Sequence, residues 1–145
     1  MTSSQSFNQV KVICLGEALV DRLGLPGIDF GSNNSFQDFL GGAPANVACG
    51  LARLGINVSF IGRVGNDQIG NNFSELMTQR EINLDFLQID SIRPSRVVLV
   101  KRDINGDRSF EGFYGDIGHG FADQALDLPC LKESLNLLKS GIEWL

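Results

Sequence analysis

The chain has 145 residues, 43% of them hydrophobic and 20% charged, with a formal net charge of −5. That balance supports a packed core rather than disorder, and its acidic sign argues against a general nucleic-acid binder, which needs a basic face for phosphates. No run approaches the roughly 20 apolar residues of a membrane-spanning helix, and residues 1–9 lack the basic start and apolar run of a signal peptide. A cytosolic protein is expected, with residues 1–9 a disordered terminus.

Residues 10–15 (VKVICL) form a short β-branched apolar run closed by Gly16, the pattern of a buried, parallel, central strand. Residues 17–25 are less apolar and alternate, with Leu19, Asp21 and Leu23 on one side. Residues 26–35 are rich in Gly, Pro, Asn and Ser and read as a loop. A brief strand at 36–40 leads into Gly41-Gly42, and a helix is predicted over 45–54, with Pro44 in its first turn and Val47, Ala48, Leu51 and Ala52 on one face. A strand at 57–61 precedes a helix over 67–79, for which Asp67 is the candidate N-cap. Strand, helix, strand, helix is the order of an α/β fold with a parallel sheet.

At Val97 the pattern changes. Residues 97–104 and 107–113 flank Asn105-Gly106, a dipeptide that predicts a tight hairpin in which both central residues take positive φ. Such a hairpin after βα units suggests a lid or clasp. Residues 126–139 read as a helix interrupted early by Pro129, and residues 142–145 as the opening of an uncompleted strand, with Trp144 in its core. The chain therefore reads as the N-terminal portion of a larger domain.

Cys14, Cys49 and Cys130 have neither disulfide-framework nor zinc spacing; Cys14 and Cys49 are expected to be buried free thiols. His119, between two glycines, reads as a loop imidazole, and Asp103, Asp107 and Asp116 as turn carboxylates rather than a metal site.

Two segments carry the functional signal. In GGAPANVACGLARLG, residues 41–55, paired glycines let backbone N–H groups approach a ligand beside a helix start, and Asn46 offers both donors and acceptors. In GEALVD, residues 16–21, Asp21 follows a buried strand and could accept two hydrogen bonds from neighbouring hydroxyls, while Glu17 reads equally well as structural. On the residues alone, a tight turn and a surface carboxylate remain alternatives.

These segments together, with FIGRVGNDQIG after them, resemble the N-terminal signature of the ribokinase-like (PfkB) carbohydrate kinases, and GGAPANVA is similar to fructokinases within that family. The resemblance runs from about residue 10 to residue 128. It implies a Rossmann-type parallel sheet with a β-sheet lid, the lid strands lying near 17–40 and 97–113 of a domain portion spanning 10–145. It implies that Asp21, Gly41, Gly42 and Asn46 bind the sugar, with Arg108, Phe110 and Phe113 as candidates from the lid. The family's aromatic-Arg pair on the lid is missing here, where Phe113-Tyr114-Gly115 stands instead. The implied reaction is ATP- and Mg²⁺-dependent phosphorylation of a sugar hydroxymethyl group, fructose first, in a protein that can pair as a homodimer through the lid. The catalytic Asp of a GAGD-type motif is absent, as is a G-K-[ST] phosphate loop, so no catalytic or cofactor-binding residue is assigned and the chain alone is expected to be inactive. The competing expectation is a non-catalytic remnant that at most binds sugar or a partner. A dinucleotide-binding domain is disfavoured, since GEALVD stands where G-x-G-x-x-G is required.

Overall fold

The computed structural model describes residues 10, 12–31 and 36–139. The expected disordered terminus, the strand opening at 142–145 and Trp144 lie outside these residues.

Strands β1 (Val12–Leu15), β4 (Val58–Gly65) and β5 (Leu87–Asp90) form a parallel sheet in the order β1-β4-β5. Helices α1 (Ala43–Arg53) and α2 (Gln68–Gln79) connect them. The central strand is β4, not the first strand: β1 pairs only with β4 among the described residues, and Leu15 is exposed. The sequence supports this, because VSFIGRVG is buried almost throughout, as a strand covered on both faces must be. It also runs through Gly65, beyond the expected end at residue 61, because the glycines within it are bordered by further β residues.

Phe60, Val64, Phe73, Met77, Ala48 and Cys14 make the main core. Burying Phe60, Phe73 and Met77 stabilises the sheet–helix layer by roughly 2 kcal/mol per side chain. α2 buries Gly70, Phe73 and Met77, whereas Val47 of α1 points outward at 54% exposure, so the fully buried residues of α1 are Ala45 and Ala48. Cys49 is half-buried rather than buried, and all three cysteines are free thiols. Burial pushes the Cys14 and Cys49 thiols above their ordinary range, which keeps them protonated at neutral pH.

A second sheet has the order β3-β2-β6-β7, from β2 (Leu19–Gly24), β3 (Phe36–Gly41), β6 (Val97–Arg102) and β7 (Arg108–Tyr114). β2 pairs antiparallel with β3 and parallel with β6, and β6 pairs antiparallel with β7. The β6–β7 connection is longer than the expected two-residue turn. Asp103 N–H donates to Asp107 O at 3.0 Å, Gly106 N–H donates to Asp103 O at 3.0 Å, and Gly106 has φ 87° while Asn105 stays at negative φ. The Asp103 carboxylate decides this by accepting from the N–H groups of Asn105 and Asp107 at 2.8 and 2.9 Å. A second irregularity follows in β7: Leu99 faces Gly112 and Val100 faces Phe110, so Glu111 is the extra residue of a bulge.

After β7 a 3-10 turn (Ala122–Gln124) leads to α3 (Leu128–Lys139). Pro129 does not interrupt α3 but sits in its first turn, where a missing N–H costs nothing.

Candidate functional site

The site is built where the two sheets meet. β1 ends at Gly16, whose N–H donates to Ile61 O at 3.0 Å, and the chain then crosses into β2. Asp21 lies on β2 opposite Phe39 of β3, which places it on the same face as Gly41, two residues on. A Cβ at Gly41 would stand 2.6 Å from Asp21 Oδ2, so the carboxylate occupies the space that glycine leaves.

The next residue, Gly42, caps α1 with φ 98°, and a Cβ there would meet Glu17 O at 2.6 Å. Both the backbone angle and the close approach require glycine. Glu17 resolves towards the structural reading: its Oε1 accepts from Ala43 N–H at 3.3 Å, setting an anion at the positive end of a helix whose N-cap has no side chain. Asn46 lies one turn into α1, its N–H donating to Gly42 O at 2.9 Å while its side chain is exposed. Asp21, Gly41 and Gly42 thus adjoin at the entry to α1, and Asn46 follows within one helical turn.

The same row of the second sheet continues across β6 and β7. Phe39, Asp21, Val98 and Phe113 are successive partners, so all four share one face. Phe39 and Phe113 are 50% and 51% exposed and form apolar walls on either side of the carboxylate. The bulge at Glu111 brings Phe110 onto this face as well, its ring edge-on to Phe113 at 5.2 Å. Arg108 is placed apart, opposite Arg102 at the hairpin end, four residues along β6 from Val98, or roughly 13 Å. Phe39 and Val98 escaped the sequence reading; Phe39 lies two residues before Gly41, the spacing that puts both on one face of a strand and could have found it.

A second polar cluster lies at the C-terminal ends of β4 and β5, beside an open cleft of about 190 Å³ lined by residues that include Asn66, Asp67, Asp90 and Arg93. Asp90 is 2% exposed and accepts from Ile92 and Arg93 N–H, both at 2.8 Å, and from Arg93 Nη1 at 3.2 Å. Arg63 Nε lies 3.0 Å from Asp90 Oδ2, close enough for an ion pair but not aligned as a hydrogen bond. Burial alone would raise the Asp90 carboxyl; the two N–H donors and the two guanidinium groups outweigh it and hold the group down at about 2. Asp67 caps α2 through Gly70 N–H at 2.9 Å, as its position predicted, and also accepts from Ser95 N–H at 2.7 Å and Ser95 Oγ at 2.9 Å. The carboxylates are saturated by their own neighbours, so this cluster fastens the 91–96 segment rather than offering a ligand site. Its logic was invisible in sequence because Asp90 draws on both Arg63 and Arg93.

Asp116 takes N–H groups of Gly118, His119 and Gly120, all within 3.1 Å, which lowers its carboxyl and makes it a turn organiser. No group of three or more His, Cys, Asp or Glu suited to a metal occurs among the described residues, and none of the helices described is long and apolar enough to cross a membrane.

Comparison with known proteins gives a consistent outcome. Fructokinase of Klebsiella pneumoniae is 38% identical over 100 residues, covering 69% of this chain and 31% of its own length. A fructokinase from Xylella fastidiosa solved with bound ATP superposes with a TM-score of 0.71 at 31% identity, covering 88% of this chain and 39% of that one. A fructokinase from Vibrio cholerae solved with fructose, ADP and calcium gives 0.65 at 31% identity, covering 85% and 37%. The chain therefore spans only 31–39% of the length of these relatives. The model of the pfkB family of carbohydrate kinases matches residues 9–140, and this chain belongs to that family.

Proposed function

We propose that this chain carries the sugar-holding part of a fructokinase-type kinase that transfers a phosphoryl group from ATP to a sugar hydroxymethyl group. The observation that carries the reading is the Asp21 carboxylate standing against Gly41, next to the Gly42 entry to α1. There Asp21 accepts from two sugar hydroxyls, backbone groups at Gly41 and Gly42 come close to the ring, and the Asn46 amide both donates and accepts. The second sheet acts as the lid, with Phe113 and Phe110 against the sugar's C–H face. Closure expels water, which protects the phosphoryl donor from hydrolysis. Arg108, at the hairpin end, reaches the sugar only if the lid bends. The reverse face of the lid, with the Arg22–Asp38 pair at 2.7 Å and the Phe36 and Tyr114 rings against Arg22, is the surface for a second copy. A cytosolic enzyme suits the three free thiols.

GRVGNDQIG lacks the G-K-[ST] ending of a phosphate loop, and no group of three or more His, Cys, Asp or Glu suited to a metal occurs among the described residues. The general base and the ATP pocket implied by the family belong to the part of the relatives this chain does not span, so no phosphoryl-transfer step is assigned to its residues.

Reading the coding sequence beyond Leu145 tests this directly. A frame that continues to a GAGD-type motif, and a product that consumes ATP with fructose, supports the kinase. A stop codon there supports the remnant that only binds. Asp21→Asn in the active product should lower kcat/KM for fructose by about a hundredfold, since it removes acceptors to two hydroxyls. Activity only on nucleosides or phosphosugars would overturn the substrate assignment.

A further inference from the structure

One cation on the sugar-facing side of the second sheet has no part in the reading above. Arg96 directly precedes β6, and its carbonyl accepts from Val20 N–H at 2.9 Å, extending the β2–β6 pairing. It lies two residues, roughly 7 Å, before Val98, the partner of Asp21, so Arg96 and Asp21 project from one face. The ring contacts agree: the Arg96 guanidinium lies 5.1 Å from the Phe113 ring centre and 5.4 Å from that of Phe121. Asp123, its side chain 5% exposed, holds the guanidinium, with Nε and Nη2 donating to Oδ1 at 3.2 and 3.0 Å and Nε also 2.9 Å from Oδ2. Phe113 and Phe121 are themselves in edge contact at 5.8 Å.

The consequence is a guanidinium fixed in plane with its charge compensated; the Arg96 side chain is 19% exposed, and among the described residues its Nη1 edge takes no part in the pairing with Asp123. A cation so held donates to hydroxyl or carbonyl oxygen without attracting a net anion. With Asp21 as the acceptor on the same face, Arg96, Asp123 and Asp21 sum to one negative charge.

We infer that the Arg96–Asp123 pair is a specificity-determining device: Arg96 hydrogen-bonds an oxygen of the bound sugar, and Asp123 cancels its charge so that neutral sugars are taken and sugar acids refused. The inference rests on the sugar-binding reading above and names its substrate class as uncharged polyols and ketoses.

The test is calorimetric titration of the polypeptide that the reading frame encodes with D-fructose and with 2-keto-D-gluconate, in the parent and in Asp123→Asn, Arg96→Gln and Asp21→Asn. The readout is the ratio of the two affinities, which general loosening of the lid would not change. Asp123→Asn should move that ratio about tenfold towards the acid, and Arg96→Gln should reverse the gain when combined with it. Fructose binding that depends on Asp21 but an unchanged ratio in Asp123→Asn overturns this inference alone. No binding of fructose by the parent, or binding indifferent to Asp21→Asn, overturns the sugar-site reading and this one with it.

Discussion

At the scale of single residues, the chain separates carboxylates that are used up from those that are free to act. Asp90 belongs to the first kind. Its carboxyl is held at about 2, against an ordinary 3.8, by backbone N–H groups and two guanidinium groups that overcome its burial. A depressed folded value means that the stabilisation is fully present above the unfolded value and is lost as pH falls through the folded one. Urea midpoints should therefore be steady from pH 7 to about pH 4 and fall between pH 4 and pH 2. Asp90→Asn should cost about 2 kcal/mol at pH 7 and flatten that fall, because it leaves Arg63 and Arg93 without their anion. An unchanged acid limb in the variant would show that Asp90 does not fasten the 91–96 segment. Asp21, in contrast, has no cation hydrogen-bonded to it among the described residues and rests against a glycine, an arrangement that leaves its oxygens to an incoming hydroxyl. Its position was legible in GEALVD, since one strand, one crossing and an alternating set are local facts. The role of Asp90 was not, because nothing near it in the chain announces Arg63.

At the scale of elements, the sequence carried most of what local chemistry decides and lost what distant pairing decides. The N-cap Asp67, the first-turn Pro44 and the glycine entry to α1 follow from groups a few residues apart. β5 was missed because four residues ending in a buried Asp do not look like a strand until β4 supplies its partner. The hairpin shows the boundary within one loop. Asn105-Gly106 correctly marked the reversal, but the Asp103 side chain, two residues earlier, rewrote its backbone by taking the N–H groups of Asn105 and Asp107. Two substitutions separate these readings. Asn105→Ala should be neutral within about 0.5 kcal/mol, because Asn105 is not at positive φ, whereas Asp103→Ala should cost about 1 kcal/mol. Thermal unfolding of both variants checks this. A larger loss for Asn105→Ala than for Asp103→Ala would restore the two-residue turn.

At the scale of the whole molecule, two sheets of different character are joined by few but well-anchored crossings. The parallel sheet is packed by α1 and α2, while the second sheet keeps exposed aromatics on the Asp21 face. The segments flanking the second sheet are held by polar contacts: Ser95 to Asp67, Arg63 Nη1 on β4 to Ala125 O at 2.7 Å, and Arg93 Nε to His119 O at 3.0 Å. The second sheet exposes Phe39, Phe110, Phe113 and Tyr114 whereas β4 is buried almost throughout, so less buried apolar area holds the second sheet in place. The second sheet should therefore exchange its amide hydrogens faster than β4 and α2 in the free protein. Saturating fructose should slow exchange in β2, β6 and β7, whose residues share the Asp21 face, and leave α2 unaffected. Hydrogen exchange read by mass spectrometry on the polypeptide that the reading frame encodes resolves these segments. Protection confined to α2, or spread evenly over both sheets, would mean that the second sheet does not close over the sugar, whatever Asp21 and Asn46 bind.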